Sequence, residues 1–171
     1  EAGAHIAYER EEVFKANTII KSAPISEEDI PSLQPNQFVI SPIHMPLLKA
    51  TMLEQLLQKK IIAIAFDSIK DDAGTYPIVR SMSEIAGNTA ILNAAKYLSN
   101  VHSGKGILLG GISGIPPARV VILGAGVVGE YAARAAIGLG AVVKVFDNSI
   151  YRLMRLQNNV GQRVFTSVIE P

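Results

Sequence analysis

Three glycines and an acid carry the clearest chemistry in the chain. Gly124-Ala125-Gly126-Val127-Val128-Gly129 follows directly on the apolar run Val120-Val121-Ile122-Leu123 and opens a stretch of small residues, Ala132, Ala133, Ala135 and Ala136. After a strand, the first glycine of such a turn permits a tight bend and the second lets backbone approach a pyrophosphate. The third lets the next helix pack close to the strand. A helix read from Val127 to about Leu139, ended by Gly138 and Gly140, would aim free N–H groups and a partial positive charge at the phosphates. Gly124, Gly126, Val127, Val128 and Gly129 are therefore candidate cofactor-binding residues. A second strand, Val142 to Phe146, ends at Asp147, roughly 20 residues past the first glycine. A carboxylate there accepts hydrogen bonds from an adenosine ribose and repels a 2′-phosphate, so the pattern points to NAD rather than NADP. Arg152 lies near the same end, either against the nucleotide or as a solvated helix residue.

These residues need a parallel sheet to position them. Val120–Leu123 is short, apolar and bounded by turn signals, as expected of a strand buried on both faces. Upstream, Asn17 to Ile20, Gln37 to Ser41 and Ile61 to Phe66 read as strands, and Arg163 to Ile169 as another at the far end. His5 to about Lys15 reads as a polar helix or the end of one. Ser26 is a plausible N-cap with Asp29 three residues on. From Pro46 to Lys60, Leu47, Leu48, Met52, Leu53, Leu56 and Leu57 recur at helical spacing. Asp71 to Gly74 reads as a turn, and Met82 to Leu98 as one long helix with Ser81 or Ser83 near its cap. The alternation of strand and helix predicts an α/β fold. A boundary near Pro77–Ser81 predicts two parts, residues 1–78 and 79–171, the second being the first half of a Rossmann-type NAD-binding domain.

Composition narrows the classes. Sixteen basic and 15 acidic residues leave a net charge of +1, which argues against nucleic acid and against an electrostatic membrane anchor. There is no cysteine, so disulfides and thiolate metal sites are excluded, and no metal site is expected. No apolar run reaches the ~18–20 residues of a membrane span. A soluble cytoplasmic protein is the expectation. The chain opens without an initiating Met and stops soon after its last strand candidate, so it is expected to be part of a longer polypeptide and inactive alone. An unpaired sheet edge would favour association with another chain, giving a homo-oligomer.

Met82-Ser83-Glu84-Ile85-Ala86-Gly87, the run Gly106–Ala118 containing Gly110-Gly111-Ile112-Ser113-Gly114-Ile115-Pro116-Pro117, and the segment Val120–Asp147 together resemble the alanine dehydrogenase and pyridine nucleotide transhydrogenase α-subunit family. The likeness is closer to alanine dehydrogenase, because Ser81-Met82-Ser83-Glu84 stands where the transhydrogenase branch has an Arg-Gln-Asp-type loop. It implies that residues 1–78 are part of an α/β substrate domain preceding the nucleotide domain, with an active site in the cleft. A lone histidine in a loop is read from sequence as either structural or proton-carrying. The resemblance implies that His44 hydrogen-bonds the substrate oxygen, and that Ser83 lies near the nicotinamide end of the cofactor. Family members commonly carry Lys-x-Lys-Glu-Pro, whereas this chain reads Lys21-Ser22-Ala23-Pro24. Either Lys21 takes the substrate-binding role from a shifted position, or the substrate is bound differently. The implied reaction is NAD-linked oxidation of a small L-amino acid, L-alanine, to an oxo acid and ammonia. A related opine- or saccharopine-type dehydrogenase and a non-catalytic NAD-binding regulatory module are the alternatives.

Overall fold

Both sheets pair in parallel, and each is built from short runs of β-branched residues that suit a pleated, covered surface. The structure, a computed structural model, describes residues 2–44, 48–161 and 164–169. Pro46 and Leu47, where the sequence reading begins its amphipathic helix, and Arg163, where it begins a strand, lie outside the described residues. The chain divides into two units, Glu1–Ile78 and Val79–Pro171.

In the first unit β1 (Thr18–Ile20), β2 (Phe38–Ser41) and β3 (Ile62–Ala65) lie in that order, with Ile19 opposite Val39 and Val39 opposite Ala63. Helix α2 (Ala50–Gln58) turns Met52 and Leu56 inward against Phe14, Ile19, Ile30, Leu33 and Val39. Fully burying one such side chain stabilises by about 1.5–3 kcal/mol. Two polar side chains fasten the loops. The buried Gln37 amide donates to the carbonyls of Phe14 and Ala16. The Lys59 ammonium donates to those of Ile30, Pro31 and Leu33, so all three of its protons are used.

Two expectations in this unit are corrected. Only α1 (Arg10–Val13) is helical within His5–Lys15. Ser26 caps no α-helix: its segment makes a turn and then a single 3₁₀ turn at Ile30–Ser32. A helix starting at Ser26 would need an N–H at position 31, and Pro31 has none.

In the second unit β4 (Arg119–Leu123), β5 (Val142–Asp147) and β6 (Val164–Val168) lie in sequence order, with Ile122 opposite Val145 and Val145 opposite Thr166. Helices α4 (Val127–Gly138) and α5 (Ile150–Val160) contribute Ala133, Ala136, Leu153 and Leu156 to a core shared with Val143 and Val145. Helix α3 (Pro77–Leu98) adds Ile91. At Gly87 it approaches α4 so closely that a Cβ would overlap the carbonyl oxygen of Val128.

Helix α3 starts at Pro77, five residues before Met82, so Ser81 and Ser83 sit inside it rather than at its cap. Proline fits the first helical position because its φ is preset and its missing N–H is one that the first turn leaves unpaired. Strand β4 is not buried on both faces: Val121 is 60% and Leu123 76% exposed. It is an edge strand, and alternation sends these two side chains to a face that nothing among the described residues covers.

Candidate functional site

Parallel pairing brings the first unit's candidates to one sheet edge. Lys21 follows β1 directly, His44 comes three residues after β2, and Asp67 two after β3, all at the strands' carboxyl ends. Open α/β sheets present ligand sites at that edge. His44 is more than half exposed, and its Nδ1 lies 3.5 Å from Asp67 Oδ2. That is an ion-pair distance when the imidazole is protonated, though long for a hydrogen bond. The other Asp67 oxygen accepts the Ile43 N–H at 3.2 Å, so the carboxylate that fastens this loop also lies beside the ring. Asp67 is a candidate site residue that the sequence reading does not single out. Its signal was there: an acid just past an apolar strand that neighbours the strand leading to His44. A cavity of about 490 Å³ is lined by His44, Pro24, Ile25, Met52 and Leu56, among others. Lys21 is not in its lining.

Lys21 is committed elsewhere. Its ammonium donates to Asp29 Oδ2 at 2.5 Å and to the Pro24 carbonyl at 3.1 Å. Asp29 is buried and also accepts from the Arg10 guanidinium at 2.6 Å and from the Ser26 N–H and hydroxyl. Burial alone would raise the Asp29 pKa, but the hydrogen bonds from Lys21 and Ser26 and the Lys21 charge hold it below the usual aspartate value. One Lys21 proton remains for another partner.

The second unit holds the glycine turn. Gly124 has φ +104°, a conformation open to glycine and strained for other residues. A Cβ on Gly129 would overlap the Gly124 carbonyl oxygen, which is the close helix–strand approach expected of the third glycine. Around Gly126 the opposite holds: a Cβ there would meet nothing within 4 Å. Among the described residues, the N–H groups of Gly126, Val127 and Val128 have no hydrogen-bond partner. Open space beside unpaired donors at a helix amino end fits a pyrophosphate.

Asp147 ends β5 beside this turn. It is 6% exposed, and its oxygens accept the Ala125 N–H at 2.7 Å and the Ser149 N–H at 2.8 Å. Those two bonds, with the nearby charges of Arg152 and Arg155, outweigh its burial and hold its pKa below the ordinary range. A carboxylate has about four lone-pair sites, so two remain for ribose hydroxyls. Arg152 is exposed on α5, with its backbone N–H capped by the Ser149 hydroxyl. Arg155, one turn further on, was not singled out from sequence, yet its guanidinium donates to the Ala125 carbonyl at 3.2 Å. Ser83 is half-buried on α3, and Glu84 pairs there with Arg80 at 3.0 Å.

Comparison with known proteins places this arrangement. The family model described as alanine dehydrogenase/PNT, N-terminal domain, matches residues 1–86, and the corresponding C-terminal domain model matches residues 90–170. An alanine dehydrogenase of Methanococcus maripaludis is 37% identical over 166 residues, covering 96% of this chain and 44% of its own length. Alanine dehydrogenase 2 of Staphylococcus aureus is 33% identical over all 171 residues and 46% of its own length. A solved L-alanine dehydrogenase superposes with a TM-score of 0.82 at 32% identity, covering 99% of this chain and 46% of that one. A transhydrogenase from Sinorhizobium meliloti, at 20% identity and a TM-score of 0.72, shares the fold. The chain thus spans a little under half the length of the curated relatives it matches. With both domain models matched in order along nearly its whole length, the chain belongs to the alanine dehydrogenase/PNT family.

Proposed function

We propose that the full-length protein is an NAD-dependent dehydrogenase that oxidises a small L-amino acid, L-alanine, at its CH–NH₂ group to pyruvate and ammonia. The observation that carries the chemistry is His44 at the carboxyl edge of the first sheet with Asp67 against its Nδ1, which leaves Nε2 for a substrate. Gly124, Gly126, Val127, Val128 and Gly129 hold the pyrophosphate of NAD, and Asp147 receives the adenosine ribose. Arg152 lies at the same end. Ser83 stands near the nicotinamide. NAD, when bound, supplies the acceptor for the hydride leaving Cα.

Water then adds to the resulting imine and ammonia departs. His44 takes and returns the protons at the amine and at the added hydroxyl, and Asp67 keeps the ring turned for that exchange. The remaining Lys21 proton binds the substrate carboxylate or carbonyl from a cation already oriented by Asp29. Names of relatives and the two matched domain models support this reading. The exposed apolar face of Val121 and Leu123 supports burial against further polypeptide and a homo-oligomer, here read as cytoplasmic.

Substituting His44→Ala in the full-length protein tests the assignment. Reduction of NAD with L-alanine, followed by absorbance, is expected to fall about 10²–10⁴-fold while NAD binding is kept. Unchanged turnover would remove His44 from the chemistry. Absence of turnover with L-alanine in the unsubstituted protein, with NAD binding kept, would favour another amino acid or a regulatory module.

A further inference from the structure

We infer that Arg155 is a positioning residue for the nucleotide-binding turn, orienting the Gly126 N–H toward the pyrophosphate; this rests on the NAD-binding reading above. One peptide joins Ala125 to Gly126. Its carbonyl accepts the Arg155 guanidinium at 3.2 Å. In a planar trans peptide the carbonyl and the N–H point in opposite directions. Holding the Ala125 carbonyl toward α5 therefore turns the Gly126 N–H away from α5; among the described residues that N–H has no partner, and a Cβ on Gly126 would meet nothing within 4 Å.

The preceding peptide is pinned separately, because the Ala125 N–H donates to Asp147 at 2.7 Å. Both peptide planes flanking the wholly buried Ala125 are thus fixed by groups at the end of β5 and on α5. Arg155 is well placed to do this because its neighbours anchor the helix: Leu153 is 4% and Leu156 0% exposed. Its charge also lies near Asp147, so cation and carboxylate grip opposite ends of one short backbone segment. Without Arg155 the Ala125 carbonyl loses this partner, and the Gly126 N–H is less firmly directed before the ligand arrives. Pre-orientation of a donor shows up as affinity for the group it meets, not for the rest of the ligand.

The test uses the full-length protein and Arg155→Ala, with calorimetric titration of ADP-ribose, which contains the pyrophosphate, and of adenosine, which lacks it. ADP-ribose binding is expected to weaken about tenfold, as for loss of one charge-assisted hydrogen bond. Adenosine affinity should stay within about twofold. An unchanged ADP-ribose affinity would overturn the inference. So would equal losses for both ligands, which would mean that Arg155 acts on the nucleoside or on the unit as a whole. If the unsubstituted protein binds neither NAD nor ADP-ribose, the nucleotide reading itself falls, which is a different result from either of these.

Discussion

Two buried aspartates, one in each unit, hold their charge in opposite ways. Asp29 is surrounded by side-chain donors from Arg10, Lys21 and Ser26 together with the Ser26 N–H, and its bonding capacity is filled. Asp147 accepts two backbone N–H groups and keeps capacity to spare. Both are held ionised below the ordinary range, but with different leading causes: at Asp29 the Lys21 hydrogen bond, then the Ser26 N–H and hydroxyl, act against burial, and at Asp147 two backbone donors do so. The contrast separates a carboxylate that orders a loop from one that holds the glycine turn and is proposed to meet a ribose. Lys21, the candidate substrate cation, stands on the loop-ordering side of that division, which makes its position a consequence of Asp29.

Asp147→Ala should break the comparison most visibly. Loss of the clasp on Ala125 and of the ribose acceptor together is expected to weaken NAD binding about a hundredfold, read by calorimetry. Asp29→Asn should act on the other quantity. Its partners are partly exposed, with side-chain exposures of 43% for Arg10 and 32% for Lys21, so they can turn to water. The expected loss is about 2 kcal/mol of folding stability by denaturant titration, with NAD affinity within about twofold. A large loss of NAD affinity in Asp29→Asn would erase the distinction.

Acid should reach both carboxylates. A group whose pKa is lower when folded stabilises fully above its unfolded value, about 3.9 for aspartate, and loses that contribution as pH falls through the folded value. Stability is therefore expected to drop with a steepening slope below about pH 4, and less steeply in Asp29→Asn. The smallest effect belongs to the exposed helix pair: Arg80→Ala should change stability by less than about 0.5 kcal/mol.

The same contrast explains what could be read from sequence. The turn is legible because its chemistry is made of backbone and lies within a single strand–helix–strand stretch. Glycine spacing states where a Cβ is forbidden, as Gly129 against Gly124 bears out, and the strand's end places Asp147. The Asp29 cluster is illegible because Arg10, Lys21 and Asp29 converge from separate elements whose loop geometry no local spacing encodes. Ser26 differs for that reason: its N–H donates to the Asp29 carboxylate as in the reciprocal half of a capping box, but its hydroxyl donates there too instead of accepting a backbone N–H, and Pro31 stops the helix and leaves a turn. Likewise the apolar run of β4 says that Val121 and Leu123 belong under cover, not what covers them.

The central proposal is that the full-length protein takes a hydride from Cα of an L-amino acid, with His44 exchanging the substrate's protons and the Gly124–Gly129 turn holding NAD. Incubating the full-length protein with NAD and L-alanine deuterated at Cα, then measuring the mass of the reduced cofactor, tests it most directly. Deuterium in the reduced nicotinamide is the expected result; reduction without deuterium transfer, or no reduction at all, would contradict it.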